Sequence, residues 1–387
     1  MFGKFFLILF LLLLISDVYI YMYYIRKMTQ KKILRFLWFL PSILLVIGLL
    51  NFYLWGIVSD RVDIAILVYI ALILPKIFFA IISLFDIPLR YFFNWRIYPF
   101  TILALLFAAG IEVILVYGSI FGRDRLTVKE IEFFSDNLPE SFDNYKVIQI
   151  SDLHLGNLKN GQQFIEEMVG TVNRQSADVV VITGDLVNSL ASELYDYEGI
   201  LSEIKAKDGI YSVLGNHDYA IYHKWEDVGK QNENINDLIE GQKRLGWKVL
   251  NNENDLIIRD GDTISIIGVE NAGSAHFPDL SDLTKAMYGT EGSKFKILLS
   301  HDPTHWRREV LSTDIDLMLS GHTHGAQFSI GAFSVSSFVY PEWRGLYMND
   351  KKGLYVNTGI GYVGVPFRFG VWPEITVIRL RRGDDYK

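Results

Sequence analysis

Four apolar runs near the amino terminus constrain this chain most: residues 5–25, 36–57, 64–85 and 98–118, each about 20 long. At 1.5 Å rise per residue, about 20 helical residues cover a hydrocarbon core of ~30 Å. Soluble core helices seldom reach that length, and four in succession predict a transmembrane helical bundle. Aromatic residues crowd the run ends, with Tyr19, Tyr21, Tyr23 and Tyr24 at the first and Tyr91, Phe92, Phe93 and Trp95 before the fourth. That pattern suits a membrane interface. A signal peptide behind Lys4 is disfavoured, because the first run leads into a Tyr-rich and then basic stretch with no small-residue cleavage site.

Composition divides the chain at the same place. Residues 1–122 hold 10 Lys/Arg against 5 Asp/Glu, and 27 of the 55 aromatics, whereas residues 123–387 hold 27 Lys/Arg against 39 Asp/Glu. A plain soluble enzyme, a disordered chain and a fibrous repeat are excluded. The acidic second part also argues against nucleic acid as a partner, since that binding needs a basic surface to displace counterions. Cysteine is absent, so disulfides, thiolate metal sites and a cysteine nucleophile are excluded. The predicted domains are 1–122, a four-span bundle, and 123–387.

Loop charge sets the expected orientation. The first connector carries Arg26, Lys27, Lys31, Lys32 and Arg35, and the third Arg90 and Arg96. The opposite side carries Lys4, Arg61, Arg123, Arg125 and Lys129. The bias puts the first and third connectors in the cytoplasm and residues 123–387 outside it. Three ionisable residues, Asp17, Lys76 and Glu112, fall inside the runs. Such residues are costly in lipid and face a partner or a cavity. Depth in an alternating layout predicts an Asp17–Lys76 pair.

Beyond about residue 126 short β-branched runs alternate with amphipathic stretches, the pattern of an α/β domain. Strands are predicted at 146–150, 179–183, 209–214, 263–268, 295–299, 317–320, 354–357 and 375–380, with helices at 161–176, 194–204 and 234–245. Five of these strands are followed at once by Asp, Asn or His: Asp152 and His154, Asp185, Asn216 with His217 and Asp218, His301, and His322 with His324. Carboxyl ends of strands are where open α/β sheets bind ligands. Imidazole, carboxylate and amide oxygen together suit divalent Zn, Mn, Fe or Mg. In Asp152-x-His154 and His322-x-His324 the two side chains share a face of an extended segment. Seven such donors exceed what one tetrahedral site needs and suit two metals sharing a carboxylate. Lone histidines elsewhere (His223, His276, His305) are read as surface or core residues, and the acidic run 226–240 as a solvated face.

The blocks DLH at 152–154, GDLV at 184–187, GNHD at 215–218, SHDP at 300–303 and GHTHG at 321–325 resemble the calcineurin-like metallophosphoesterases. The tail, with Gly359-Ile360-Gly361, Pro366-Phe367-Arg368 and Pro373-Glu374, is similar to the bacterial membrane-associated branch. The resemblance covers roughly 145–380 and implies a four-layer αββα sandwich with a two-metal site at the strand ends. It implies that Asp152, His154, Asp185 and His324 bind one ion, and that Asp185, Asn216, His301 and His322 bind the other. Asp185 would bridge. His217 would contact the phosphoryl group and help protonate the leaving oxygen. Arg368 is a candidate anion contact, with a surface ion pair as its alternative. The chain departs from the family at Asp218, where many members have Glu, at 268–271, where two acids are common, and at Ala326-Gln327.

The expected function is a membrane-anchored hydrolase of phosphate ester or pyrophosphate bonds, by metal-activated hydroxide attack. Its cofactors would be two divalent ions. Its partners would be the bilayer and a phosphorylated small molecule or lipid, with no obligate protein partner. Tethering favours a lipid-linked or cell-envelope substrate. The alternative is a non-catalytic metal-binding sensor or transport-associated membrane protein that keeps the fold.

Overall fold

The computed structural model describes residues 2–55, 62–93, 97–158, 161–273 and 277–383. Arg61, Trp95, Arg96 and His276, used or weighed above, lie outside the described residues. The chain divides into two compact units, residues 1–120 with 364–367, and residues 121–363 with 368–387.

The first unit is helical. Its main helices are Phe2–Ile20, Leu40–Trp55, Val62–Ser83, Asp86–Phe93 and Pro99–Tyr117. Among the described residues, two helical stretches, Asp63–Phe93 and Pro99–Gly122, are long and apolar enough to cross a membrane. Large apolar side chains such as Ile15, Val68, Leu106 and Val113 are exposed, as lipid-facing residues are. Inside the unit, Lys76 Nζ lies 2.9 Å from Asp17 Oδ1, so the expected pair is made. Ser42 donates to the other Asp17 oxygen, and Lys76 Nζ sits 4.4 Å over the Trp38 ring. The Asp86 carboxylate accepts from the amides of Phe100 at 3.1 Å and Thr101 at 2.7 Å, and so caps the last helix.

Among the described residues, the second unit holds twelve strands in two six-stranded sheets. They are β1 (Thr127–Ser135), β2 (Lys146–Ile150), β3 (Val179–Thr183), β4 (Ile210–Val213), β5 (Lys248–Val249), β6 (Glu253–Arg259), β7 (Asp262–Gly268), β8 (Phe295–Leu299), β9 (Leu317–Ser320), β10 (Gly345–Asn349), β11 (Lys352–Val356) and β12 (Glu374–Arg382). One sheet runs β1-β12-β2-β3-β4-β5 and the other β10-β11-β9-β8-β7-β6. In each the centre is parallel: β2, β3, β4 and β5 in the first, and β7, β8, β9 and β11 in the second.

Alternation along the strands explains the layers. Val147, Val179, Val181 and Val213 of the first sheet meet Ile264, Ile266, Ile297 and Leu317 of the second in one core. The intervening residues Ile148, Ile150, Val180 and Ile182 pack outward on Ile165, Met168 and Val172 of the helix Gln162–Arg174. On the far side Ile267, Leu298, Met318 and Leu354 pack on Leu283, Trp306 and Val310. Strands buried on both faces read as continuous apolar runs, which is why the central ones were visible in the sequence.

The two sheets are joined at the ends of their central strands. Gln149, fully buried in β2, donates to the Ser320 carbonyl of β9 at 2.8 Å and to the Thr183 hydroxyl of β3 at 3.0 Å. This crosslink holds the loops after β2, β3, β8 and β9 over one another.

Candidate metal centre

Each of these loops turns sharply just past its strand. Asp152, His154, Asp185, His322 and His324 have φ of 52°, 46°, 54°, 72° and 46°. Left-handed backbone at non-glycine residues is uncommon and costs of order 1–3 kcal/mol each. Its clustering marks strained loops held by their surroundings. Glycines permit the approach. A Cβ at Gly215 would lie 2.2 Å from Asp185 Oδ1, and one at Gly321 would lie 2.2 Å from Asp152 Oδ2.

The structure brings the sequence-predicted residues into one cage. Asp152, His154 and His324 form one group with ligand atoms within 4.8 Å of one another, and Asp185, His301 and His322 form a second. Asp185 Oδ2 lies 3.2 Å from His301 Nε2 and 3.6 Å from His154 Nε2, so it stands between the groups. His154 Nε2 is 3.0 Å from His324 Nε2, and His301 Nε2 is 3.2 Å from His322 Nδ1. Two neutral imidazole nitrogens facing each other share at most one proton between two lone pairs.

The outer nitrogens of His301 and His154 show which of their lone pairs point inward. His301 Nδ1 donates to the Thr183 carbonyl at 2.7 Å, and a carbonyl can only accept. Its Nε2 therefore faces the cage. His154 Nδ1 meets Asn188 Oδ1 at 2.9 Å, an oxygen that also accepts from Asn157. Such partners fix the tautomer and ring orientation of metal-binding histidines. His322 Nε2 contacts the Tyr340 hydroxyl at 2.9 Å.

Charge in the cage is uneven. Burial pushes His154 down to about 3 and His322 down to about 4, which keeps both rings neutral with lone pairs free. Burial also opposes charge on His301, but Asp185 and Asp152 outweigh it and push that ring up to about 10. The carboxylates thus draw positive charge to the centre. Asn216 Oδ1 is buried with no hydrogen-bond partner, while its Nδ2 donates to the Tyr222 hydroxyl at 3.0 Å. An orphaned amide oxygen, two inward carboxylates and paired imidazoles are the donors a divalent cation takes. The residues present fit such ions.

His217 lies beside the ligand set, and its ring nitrogen groups with the ligand atoms of His154 and Asp185 within 4.8 Å. It is half-buried, it donates from Nδ1 to the Asn188 carbonyl at 2.9 Å, and its ring lies 4.3 Å from that of Tyr222. Its Nε2 carries no partner in that bond.

Arg368 is fully buried. Its guanidinium donates to the carbonyls of Gly361 at 2.9 Å, Thr358 at 3.0 Å and Val371 at 3.4 Å, and to His324 Nδ1 at 3.1 Å. It therefore lies under the His324 loop, away from any exposed ion pair. His305 is a satisfied core residue between Ser300 and Glu309, and His223 is exposed beside Trp225.

Two further residues matter: Asn188, which the sequence reading did not single out, and Asp218, which it noted only as a departure from the family. Asn188 touches both His154 and His217. Asp218 accepts from the amides of Asp185 at 2.8 Å, Gly215 at 2.9 Å and Val187 at 3.1 Å, stapling two ligand loops together. Each stands three residues past a block residue, Asn188 after Asp185 and Asp218 after Gly215, and that was the available signal.

Fold and cage are those of a metallophosphoesterase domain, in a chain that also carries a helical membrane unit. The chain belongs to the calcineurin-like metallophosphoesterases. Residues 145–326 match the family model for calcineurin-like phosphoesterases, and residues 3–123 match one described as a probable calcineurin-like phosphoesterase transmembrane domain. A Danio rerio transmembrane protein with a metallophosphoesterase domain is 32% identical over 73% of this chain and 63% of its own length. A metallophosphoesterase of Campylobacter jejuni is 33% identical over 72% of this chain and 71% of its own. The chain thus spans somewhat less than two thirds of the zebrafish relative. Among solved structures, a Haemophilus influenzae NAD nucleotidase aligns over 56% of this chain and 45% of its own, with a TM-score of 0.37 and 19% identity.

Proposed function

We propose that the protein is a membrane-anchored, binuclear metal-dependent phosphohydrolase acting on a phosphate ester or pyrophosphate of a lipid-linked or cell-envelope substrate. One observation carries this reading: Asp185 Oδ2 stands between two histidine groups while the buried Asn216 Oδ1 lacks a partner. Asp152, His154, Asp185 and His324 would hold one divalent ion, and Asp185, Asn216, His301 and His322 the other. When bound, such ions neutralise phosphoryl oxygens and make water acidic enough to attack near pH 7.

The chain's own residues do the rest. Thr183 and Asn188 hold His301 and His154 in the tautomers that aim Nε2 inward. His217, held through Nδ1 by the Asn188 carbonyl, presents Nε2 to substrate. As water adds to phosphorus and gives up a proton to solvent, the P–O ester bond breaks and the leaving oxygen takes a proton from His217 Nε2. Arg368 is read as a positioning residue that buttresses the His324 loop.

We read the helical unit as a four-span anchor ending near residue 122, with the hydrolase outside the cytoplasm. The neutralised Asp17–Lys76 pair supports an anchor over a transport path. The test is hydrolysis of bis-p-nitrophenyl phosphate and p-nitrophenyl phosphate by the full chain in nanodiscs, with Mn, Zn or Mg. Asp185→Asn and His217→Ala should each lower kcat by at least about a hundredfold. Rates unchanged in both variants would refute the mechanism.

A further inference from the structure

The segment 328–341 leaves the histidine block at 321–325 and contains no charged residue. Within it Ile330, Phe333, Val335, Phe338 and Val339 are 58%, 51%, 54%, 77% and 67% exposed. The Phe333 and Phe338 rings lie 6.0 Å apart, so the patch is continuous. Clustered exposed apolar side chains of this kind mark an interaction surface.

Part of the backbone of this segment is paired within it. Ile330 and Phe333 exchange both amide hydrogen bonds, at 3.0 and 3.1 Å. The Ser336 amide donates to Ser334 Oγ, and the amides of Val339 and Tyr340 donate to the Ser336 carbonyl. The base is pinned by Arg344, which donates to the Gly331 carbonyl at 2.8 Å and to Ser329 Oγ at 3.2 Å. Each amide paired in this way lowers the cost of moving the loop toward lipid, where an unpaired amide is expensive.

The surface available to such a loop follows from the chain. The last apolar helical stretch ends at Gly122 and β1 begins at Thr127. Four intervening residues reach at most about 14 Å, so the start of β1 is tethered near the end of the last apolar helical stretch. The patch is also fastened to the cage: Ser334 Oγ donates to the Gly325 carbonyl at 2.8 Å, and the Tyr340 hydroxyl contacts His322 Nε2 at 2.9 Å.

We propose that the apolar loop 328–340 inserts into the lipid interface of the membrane that anchors the protein, presenting the metal cage to phosphates at lipid head-group level. This rests on the hydrolase reading above and names where its substrate is met. Interfacial segments of this type enter about 5–10 Å into the head-group and acyl boundary.

The absence of cysteine makes the test direct. Phe338→Cys in the full chain, carrying an environment-sensitive fluorophore, is placed in phosphatidylcholine–phosphatidylglycerol nanodiscs with and without bromines on the acyl chains. Tyr288→Cys, at a position 82% exposed outside the patch, is the control. A blue-shifted, bromine-quenched signal at 338 and a water-like signal at 288 is the expected result. Val339→Cys should repeat it. A water-like signal at both 338 and 339 overturns the proposal. So does an unquenched 338 label with disulfide crosslinking of Phe338→Cys between copies, which would assign the patch to a second copy of the chain. If neither p-nitrophenyl ester is hydrolysed with any metal, the hydrolase reading fails separately, because quenching does not depend on turnover.

Discussion

At the scale of single residues, the cage depends as much on atoms that are missing as on those present. Asp152 receives the His322 amide on both carboxylate oxygens, each at 3.1 Å, and this is possible because Gly321 brings its backbone against the carboxylate. A methyl group at 321 would meet Ser151 Oγ at 2.0 Å and Asp152 Oδ2 at 2.2 Å. Both are fully buried and cannot step aside. Gly321→Ala should therefore displace Asp152 and weaken metal binding about 10–100-fold, the usual cost of disturbing a ligand's support. Metal content of the purified full chain, measured by elemental mass spectrometry, checks this. Full occupancy in the variant would mean the loop can yield. The residue types of the site and their order past the strands were legible in the sequence. The left-handed φ of Asp152, His154, Asp185, His322 and His324 was not, because single Asp and His residues adopt that conformation only where tertiary contacts impose it.

At the scale of elements, legibility followed burial. Strands β2, β3, β8 and β9 stand where the apolar runs predict them. Strands β1, β5, β6 and β10 were not anticipated. They lie at sheet edges, and β1 exposes Lys129, Glu130 and Glu132, so no apolar pattern announces them. The helix expected at 194–204 is instead a 3-10 turn, Ala191–Tyr197, and a short helix, Glu198–Leu201. The cause is Glu193, whose carboxylate gathers the amides of Asn188 at 2.6 Å, Leu190 at 3.0 Å and Ser189 at 3.2 Å, and so tightens the loop that carries Asn188.

The junction entering β3 has its own electrostatics. Burial raises the Asp178 carboxyl, but Lys207 at 2.9 Å, the Lys146 amide at 2.8 Å and Arg259 at 3.3 Å outweigh that and hold it below the usual carboxylate value. A depressed folded-state pKa stabilises the fold above the unfolded-state value of about 4, and the stabilisation is lost as pH falls through the folded-state value. The urea midpoint of the wild-type chain should drop between pH 6 and pH 3, and Asp178→Asn should flatten that acid-side slope. An unchanged slope would mean the carboxylate titrates alike in both states. In the helical unit the matching experiment is Lys76→Met, which leaves Asp17 fully buried without its counter-charge. The expected loss is about 3–5 kcal/mol, much of it recovered in Asp17→Asn/Lys76→Met. Unfolding of the detergent-solubilised chain measures both.

At the scale of the whole molecule, function turns on which face of the membrane carries the hydrolase, and there the sequence speaks only through charge. Seven basic residues in the first and third connectors stand against five on the other side. Such counts fix orientation because positive loops near spans resist translocation. The cysteine-free chain again gives a direct measurement. Tyr288→Cys should react with a membrane-impermeant maleimide in intact cells, while Gln30→Cys, in the first connector, should react only after permeabilisation. The reverse pattern would move the cage to the cytoplasmic leaflet. The chemistry of the site would be unaltered, because its donors and their tautomers are set within the two sheets. On the proposed reading the candidate substrates differ with the side: nucleotide-linked lipid pyrophosphates for a cytoplasmic cage, envelope phosphates for an external one. The labelling result therefore selects which phosphorylated lipids to offer the enzyme.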